Sequence, residues 1–198
     1  MISCPIEEDI PRRHQVADPL AQSLAAGTPS AFAELYDRFA ARLVKTARRM
    51  GCHAAATEDI VHDLFVAMAR SRANFENVDN LDAYVFTALR HAVARHQQRR
   101  RLERAAHSRA AESALRRDDG ATDSPPSANE SLAHALASLP PEQREAVGLK
   151  IDGGLTFAEI GAVAGISPNT AASRYRYALE KLRILLIDSF VKEGENAS

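Results

Sequence analysis

The sequence predicts an all-α protein: two small helical domains joined by a flexible linker, the C-terminal one a helix-turn-helix. Three observations carry this. Apolar residues recur at steps of three and four along most of the chain, and no segment alternates with period two long enough to make a sheet. From Asp118 to Asn129, DDGATDSPPSAN, there is no large apolar residue; such a stretch has nothing to bury, and Pro125-Pro126 stiffens it. Thr156 to Arg183, TFAEIGAVAGISPNTAASRYRYALEKLR, reads as two helices at a sharp turn. The expected bounds are 1–27 for an N-terminal extension, 28–112 for the first domain, 113–131 for the linker and 132–188 for the second domain.

Apolar content of 45% and charge of 26% are ordinary for a soluble globular chain of 198 residues. No apolar run approaches the roughly 20 residues that span a bilayer, and the N-terminus lacks a signal-peptide core, so no membrane insertion is expected. Cys4 and Cys52 make neither a disulfide framework nor a zinc set, which points to a reducing cytoplasm. The net charge is only −1, yet between Arg90 and Arg117 nine arginines stand against Glu103 and Glu112. The basic charge is concentrated in one place.

Asp18-Pro19 opens a short helix ending at Gly27, inside an extension read as loosely held. Thr28-Pro29 repeats the cap-plus-proline signal and starts a longer helix. Its stripe is Phe32, Leu35, Tyr36, Phe39, Leu43, Ala47 and Met50, and Gly51 stops it. Thr57 is expected to cap the next helix, with Ile60, Val61, Leu64, Phe65 and Met68 buried and Glu58, Asp59 and Asp63 off the stripe. That acidic face reads equally as a solvated surface and as a docking surface for a basic partner. A polar connection, Ser71 to Asn80, holds Phe75 among Asn74, Asn77 and Asn80. Asn80 then caps a long helix burying Leu81, Tyr84, Val85, Ala88, Leu89, Ala92 and Val93. Past Val93 the stripe fades while Arg95, Arg99, Arg100, Arg101 and Arg104 accumulate. An ordinary solvated helix end usually mixes both signs; this one suits a phosphate backbone, where each contact releases counterions.

After the linker, Leu132, Leu136 and Leu139 mark a short helix. Pro140-Pro141-Glu142 opens another, with Val147, Leu149 and Ile151 for packing and Gly153-Gly154 as its end. Thr156 caps the next helix, Gly165 supplies its left-handed stop, and Ser167-Pro168 opens the last, which is expected to reach about Leu186. Gly161 leaves room for a close crossing. Ala171, Tyr175, Ala178, Leu182 and Leu185 form the buried stripe of that last helix. Asn169, Thr170, Ser173, Arg174, Arg176 and Tyr177 lie near its exposed N-terminal half, the part that meets base edges and phosphates in helix-turn-helix proteins. A plain helical hairpin is the competing reading of these residues alone.

An enzyme finds little support. Asp59 and Asp63 are four apart on a helix, but no histidine stands at matching spacing on a partner motif. Cys52-His53 is a lone adjacent pair, and His91 and His96 are five apart, a poor spacing for one helical face. No catalytic residue, metal or cofactor is therefore expected.

Together the segments AFAELYDRFAARLVKTARRM, TEDIVHDLFVAMAR, LDAYVFTALRHAVARHQQRRR and LPPEQREAVGLKIDGGLTFAEIGAVAGISPNTAASRYRYALEKLR resemble bacterial RNA polymerase sigma factors of the extracytoplasmic-function type. The match covers about Ala31 to Leu186, in family order. The resemblance implies sigma region 2 for 28–112 and sigma region 4 for 132–188, and a protein that binds core RNA polymerase and directs promoter-specific initiation, melting included. It implies that Glu58, Asp59, His62 and Asp63 dock on the coiled coil of the polymerase clamp. Asn74, Phe75, Asn80, Tyr84, His91, Arg95, Arg99 and Arg100 would hold the melted minus-ten strand. Asn169, Thr170, Ser173, Arg174, Arg176 and Tyr177 would read the duplex minus-thirty-five element. An anti-sigma factor is a further implied partner.

The chain departs from the family pattern in places. Tyr84 stands where tryptophan is common, His91 where an asparagine faces DNA, Ala172 where a basic residue precedes Ser173, and His62-Asp63 where glutamine-glutamate is usual. A regulator acting without polymerase, as LuxR-like output domains do, could use the same helix-turn-helix. It would need neither the acidic helix nor the basic one.

Overall fold

Asp18 caps the first helix, α1 (Pro19–Ala25), by accepting the Leu20 N–H at 3.0 Å. The computed structural model describes the backbone of residues 18–111 and 128–195 and the side chains of 18–106 and 131–187. Leu20 and Leu24, one turn apart, both reach the core, so residues 18–27 are packed rather than loosely held. Residues 1–17 and 112–127 lie outside the described residues, and the last part of the expected linker, 128–131, is already helix.

Helix α2 (Pro29–Arg49) buries Ala31, Leu35, Phe39, Leu43, Thr46 and Ala47. The expected stripe is right except at Tyr36, which is 56% exposed and lies on Phe65, ring centroids 5.0 Å apart. Leu35 already occupies the core-facing position, and one residue further the helix has turned about 100° away. Helix α3 (Ala54–Arg70) starts at His53, ahead of the expected cap Thr57. Thr57 is instead interior and fully buried, and its hydroxyl donates to the His53 carbonyl at 2.9 Å.

A 3₁₀ turn (Arg72–Phe75) leads to α4 (Leu81–Ala111), capped by Asn80, whose side-chain oxygen accepts the Ala83 N–H at 2.8 Å. Phe86, which the stripe omitted, is fully buried and meets Phe39 edge-on at 6.3 Å. Four further helices follow: α5 (Ala128–Ala137), α6 (Pro141–Val147) continued by a π turn (Gly148–Asp152), α7 (Phe157–Ala164) and α8 (Pro168–Glu195). No strand occurs among the described residues. Helix α8 outruns its expected end at Leu186 because neither glycine nor proline interrupts it before Gly194. Ile151 is 52% exposed, since the π turn rotates it outward while Leu149 takes the core position.

The helix-turn-helix is built as its punctuation requires. Thr156 and Glu159 form a reciprocal capping box, with the Thr156 hydroxyl accepting the Glu159 N–H at 3.2 Å. Gly165 adopts φ 69°, the left-handed conformation that closes α7. A Cβ on Gly161 would sit 2.8 Å from the Ile166 carbonyl, so only glycine lets the turn approach α7 this closely.

Two apolar clusters result. One, from α5, α6 and α8, holds Ala135, Leu139, Val147, Ala178 and Leu182. The larger one runs through α1 to α4 and continues into Leu149, Leu155, Ile160, Val163 and Ala171 from beyond the 112–127 stretch. The two halves of the chain thus share one core, with α7 laid on α4 and the π turn laid on α2.

Candidate nucleic-acid interface

The recognition half of α8 is held out by its cap and by Gly165. The Ser167 hydroxyl accepts the Thr170 N–H at 3.1 Å, which fixes the first turn. Asn169, Thr170, Arg176 and Tyr177 are exposed, Tyr177 at 61%. Ser173 and Arg174 are half-buried. The Arg176 guanidinium reaches back one turn to the Ser173 hydroxyl at 3.3 Å. Arg174 lines a crevice with Arg90 and Ala94 of α4 and Glu145 of α6, so it faces the other half of the chain.

The residues expected to hold a melted strand are not gathered into one open surface. Along α4, His91, Arg95 and Arg99 are exposed and Arg100 is half-buried. Asn74 is exposed in the 3₁₀ turn. Phe75 needs correcting. It is fully buried and packs edge-on against half-buried Tyr84 at 5.3 Å, so it is core and no base can stack on it here. An aromatic in a run of asparagines resembles a stacking residue, and only tertiary packing tells the two apart. Asn80 is also engaged: while its oxygen caps α4, its amide donates to the Glu159 carboxylate of α7 at 2.8 Å.

The seam between the halves is polar at its rim, and sequence reading missed it. Arg49 pairs with Asp152, its Nη2 at 3.1 Å, where Asp152 is only 8% exposed. Arg90 Nε donates to Glu145 at 2.6 Å. Arg42 donates to the Gly153 carbonyl and to Asp82, the latter at 2.7 Å, with its guanidinium over the rings of Phe39 and Phe86. Burial alone would raise the Glu159 carboxyl, but hydrogen bonds from Asn80 and Thr156 and the charge of Arg42 outweigh it and hold it below the ordinary carboxylate value. The available signal was that Arg42, Arg49, Arg90, Glu145 and Asp152 have no oppositely charged residue three or four positions away.

On α3, Glu58, Asp59, His62 and Asp63 are all exposed, and Glu58 approaches Arg48 no closer than 3.9 Å. Burial raises the Cys52 thiol, against an opposing pull from Arg100. Among the described residues no three of His, Cys, Asp and Glu gather as a metal set, and no helix is long and apolar enough to cross a membrane.

The chain matches two family models, Sigma-70 region 2 over residues 35–103 and Sigma-70 region 4 over residues 129–182. It is 35% identical to the RNA polymerase sigma factor CarQ of Myxococcus xanthus, over 81% of this chain and 91% of that protein. It is 31% identical to the ECF RNA polymerase sigma factor SigF of Caulobacter vibrioides, over 68% of this chain and 73% of that one. In structure it is similar to CnrH, solved in complex with the cytosolic domain of CnrY. There the TM-score is 0.64 and the identity 25%, over 85% of this chain and 96% of that one.

Proposed function

This chain belongs to the RNA polymerase sigma factors of the extracytoplasmic-function type, and we infer from that membership how its surfaces divide the work. It binds core RNA polymerase and directs promoter-specific transcription initiation. Glu58, Asp59, His62 and Asp63 dock on the clamp coiled coil, as an exposed acidic face presented by a helix whose other side is core. Asn169, Thr170, Arg176 and Tyr177 read the minus-thirty-five duplex in the major groove, joined by Ser173 and Arg174. On the melted minus-ten strand, His91, Arg95, Arg99 and Arg100 hold phosphates, and Asn74, Asn80 and Tyr84 contact bases. Phe75 supports that surface from below and does not touch the strand.

Residues 28–112 and 132–188 act as the two working domains, and the protein works in the cytoplasm without a cofactor. It is not itself an enzyme, since bond formation belongs to the polymerase. Because Asn80 is bonded to Glu159 across the seam and Arg174 faces a crevice against α4, full promoter contact requires the two halves to part. CnrH is seen with a protein partner, and a partner of the anti-sigma kind completes the reading for this chain. A regulator independent of polymerase is disfavoured because it has no use for the α3 face.

The single observation that carries the proposal is an exposed acidic α3 face and an open recognition half of α8 on one chain. The test mixes the protein with core polymerase and fragmented genomic DNA and sequences the transcript starts. Starts sharing two upstream motifs at fixed spacing are expected. Duplex binding without any polymerase-dependent start would overturn the proposal in favour of the stand-alone regulator.

A further inference from the structure

At the seam, beneath the turn between α2 and α3, a pocket of about 290 Å³ collects His53, His96, Arg100, Arg101, Arg104 and Arg144. Four of the six are guanidiniums, which stay charged at any working pH. No acidic side chain lines the pocket among the described residues. Proteins seldom bring so many like charges to one concavity without something to neutralise them, because each raises the electrostatic cost of the next.

Arg144 Nε and His96 Nε2 are both buried and have no hydrogen-bond partner among the described residues. The Arg144 head is oriented by its own second arm, since Nη2 donates to the carbonyls of Leu139 at 3.0 Å and Ala137 at 3.3 Å. The pocket therefore offers four arginine heads and two imidazoles with no acid in its lining, a set that suits a ligand made only of acceptors.

A carboxylate has two oxygens and one charge, too few for this set. A phosphate group has more oxygens, carries more charge and takes guanidinium forks bidentately. The volume lies just below the range of drug-sized ligand pockets, which leaves room for one or two phosphoryl groups and little else. We propose that this pocket binds a small phosphate-class anion, a diphosphate group being the best match in charge and size. Arg144 belongs to α6 and the other cations to α4 and the α2–α3 turn. A bound anion thus ties the two halves together and stabilises their packed arrangement by mass action.

The phosphate could come from a free anion or from a nucleic-acid backbone, and Arg144 separates the two, because it lies across the seam from the α4 arginines. The full-length chain is titrated with inorganic pyrophosphate by calorimetry at fixed ionic strength, and separately with a single-stranded oligonucleotide. Saturable one-site binding of pyrophosphate is expected. It should weaken at least tenfold in Arg144→Lys, which keeps the charge and loses the planar guanidinium, and also in Arg104→Gln. Oligonucleotide affinity should be unchanged in Arg144→Lys. Arg104 is exposed and its change leaves the packing intact, so it decides the matter if Arg144→Lys fails to fold. Absence of saturation at millimolar pyrophosphate, or wild-type affinity in Arg104→Gln, would overturn the site. Equal loss of pyrophosphate and oligonucleotide in a folded Arg144→Lys would assign the phosphate to nucleic acid and overturn it as well.

Discussion

The acidic face of α3 and the basic run of α4 are both off-stripe surfaces of amphipathic helices, yet they stand differently in the fold. Glu58, Asp59, His62 and Asp63 face solvent. On α4, by contrast, Arg90 is tied to Glu145, Asn80 at the cap is tied to Glu159, and Arg100 turns into a pocket with Arg144. One face is ready for a partner as it stands. The other is partly occupied by the second half of its own chain. An amphipathic pattern therefore says which residues leave the core of their helix, and says nothing about whether another part of the chain then covers them.

The largest effect on partner binding should fall on the open face. Asp59→Arg should lower association with core polymerase by at least about 100-fold, since it puts a like charge against a basic partner surface. Pull-down with core polymerase reads this, and an unchanged helical circular dichroism spectrum excludes unfolding. Normal association would remove α3 from the docking role.

Next comes the core that both faces rest on. Phe86→Ala should cost about 3–5 kcal/mol of stability, the usual range for emptying a buried phenyl site. Urea unfolding measures it, and a loss under about 1 kcal/mol would mean that Phe86 is far less well packed than its burial implies.

At the seam, Asp152→Ala leaves Arg49 without its partner and should cost about 2–3 kcal/mol, toward the low end for a buried pair because Arg49 keeps some solvent. Its more telling result is structural. Small-angle scattering should show a larger radius of gyration, and binding of promoter DNA should improve. Improved stability with unchanged DNA binding would show that the seam does not limit access to α4.

Arg176→Ala should weaken duplex binding by about 1–3 kcal/mol, in line with loss of one base or phosphate contact. Gel shifts of the polymerase complex at moderate salt check it. The smallest effect concerns acid. The Glu159 carboxyl is held below its ordinary value of 4.5, so its contribution is complete above that value and fades as pH falls through the depressed one. The stability gap between the native chain and Glu159→Gln should be widest near neutrality and shrink below about pH 4.5. A gap that widened on acidification would reverse the assignment of Asn80, Thr156 and Arg42 as its stabilising partners.

Much of this protein was legible in residue order. The helices, their periodic stripes, the Thr156–Glu159 capping box, the Gly165 stop and the Ser167-Pro168 start all depend on neighbours within four residues, and that is the range over which sequence speaks directly. So does the sidedness of α8, because Ala171, Ala178 and Leu182 fix which residues can face outward. Tertiary structure alone decided the rest. Phe75 is core because Tyr84 and α1 close over it, and Thr57 is interior because α3 begins at His53. Asn80 and Arg174 meet the opposite half, and Arg144 joins arginines more than 39 positions away to form one pocket. Such contacts depend on which helix faces are left bare once each helix has formed. That is a property of the whole packed chain, settled by burying the remaining apolar surface and pairing the charges around its edge.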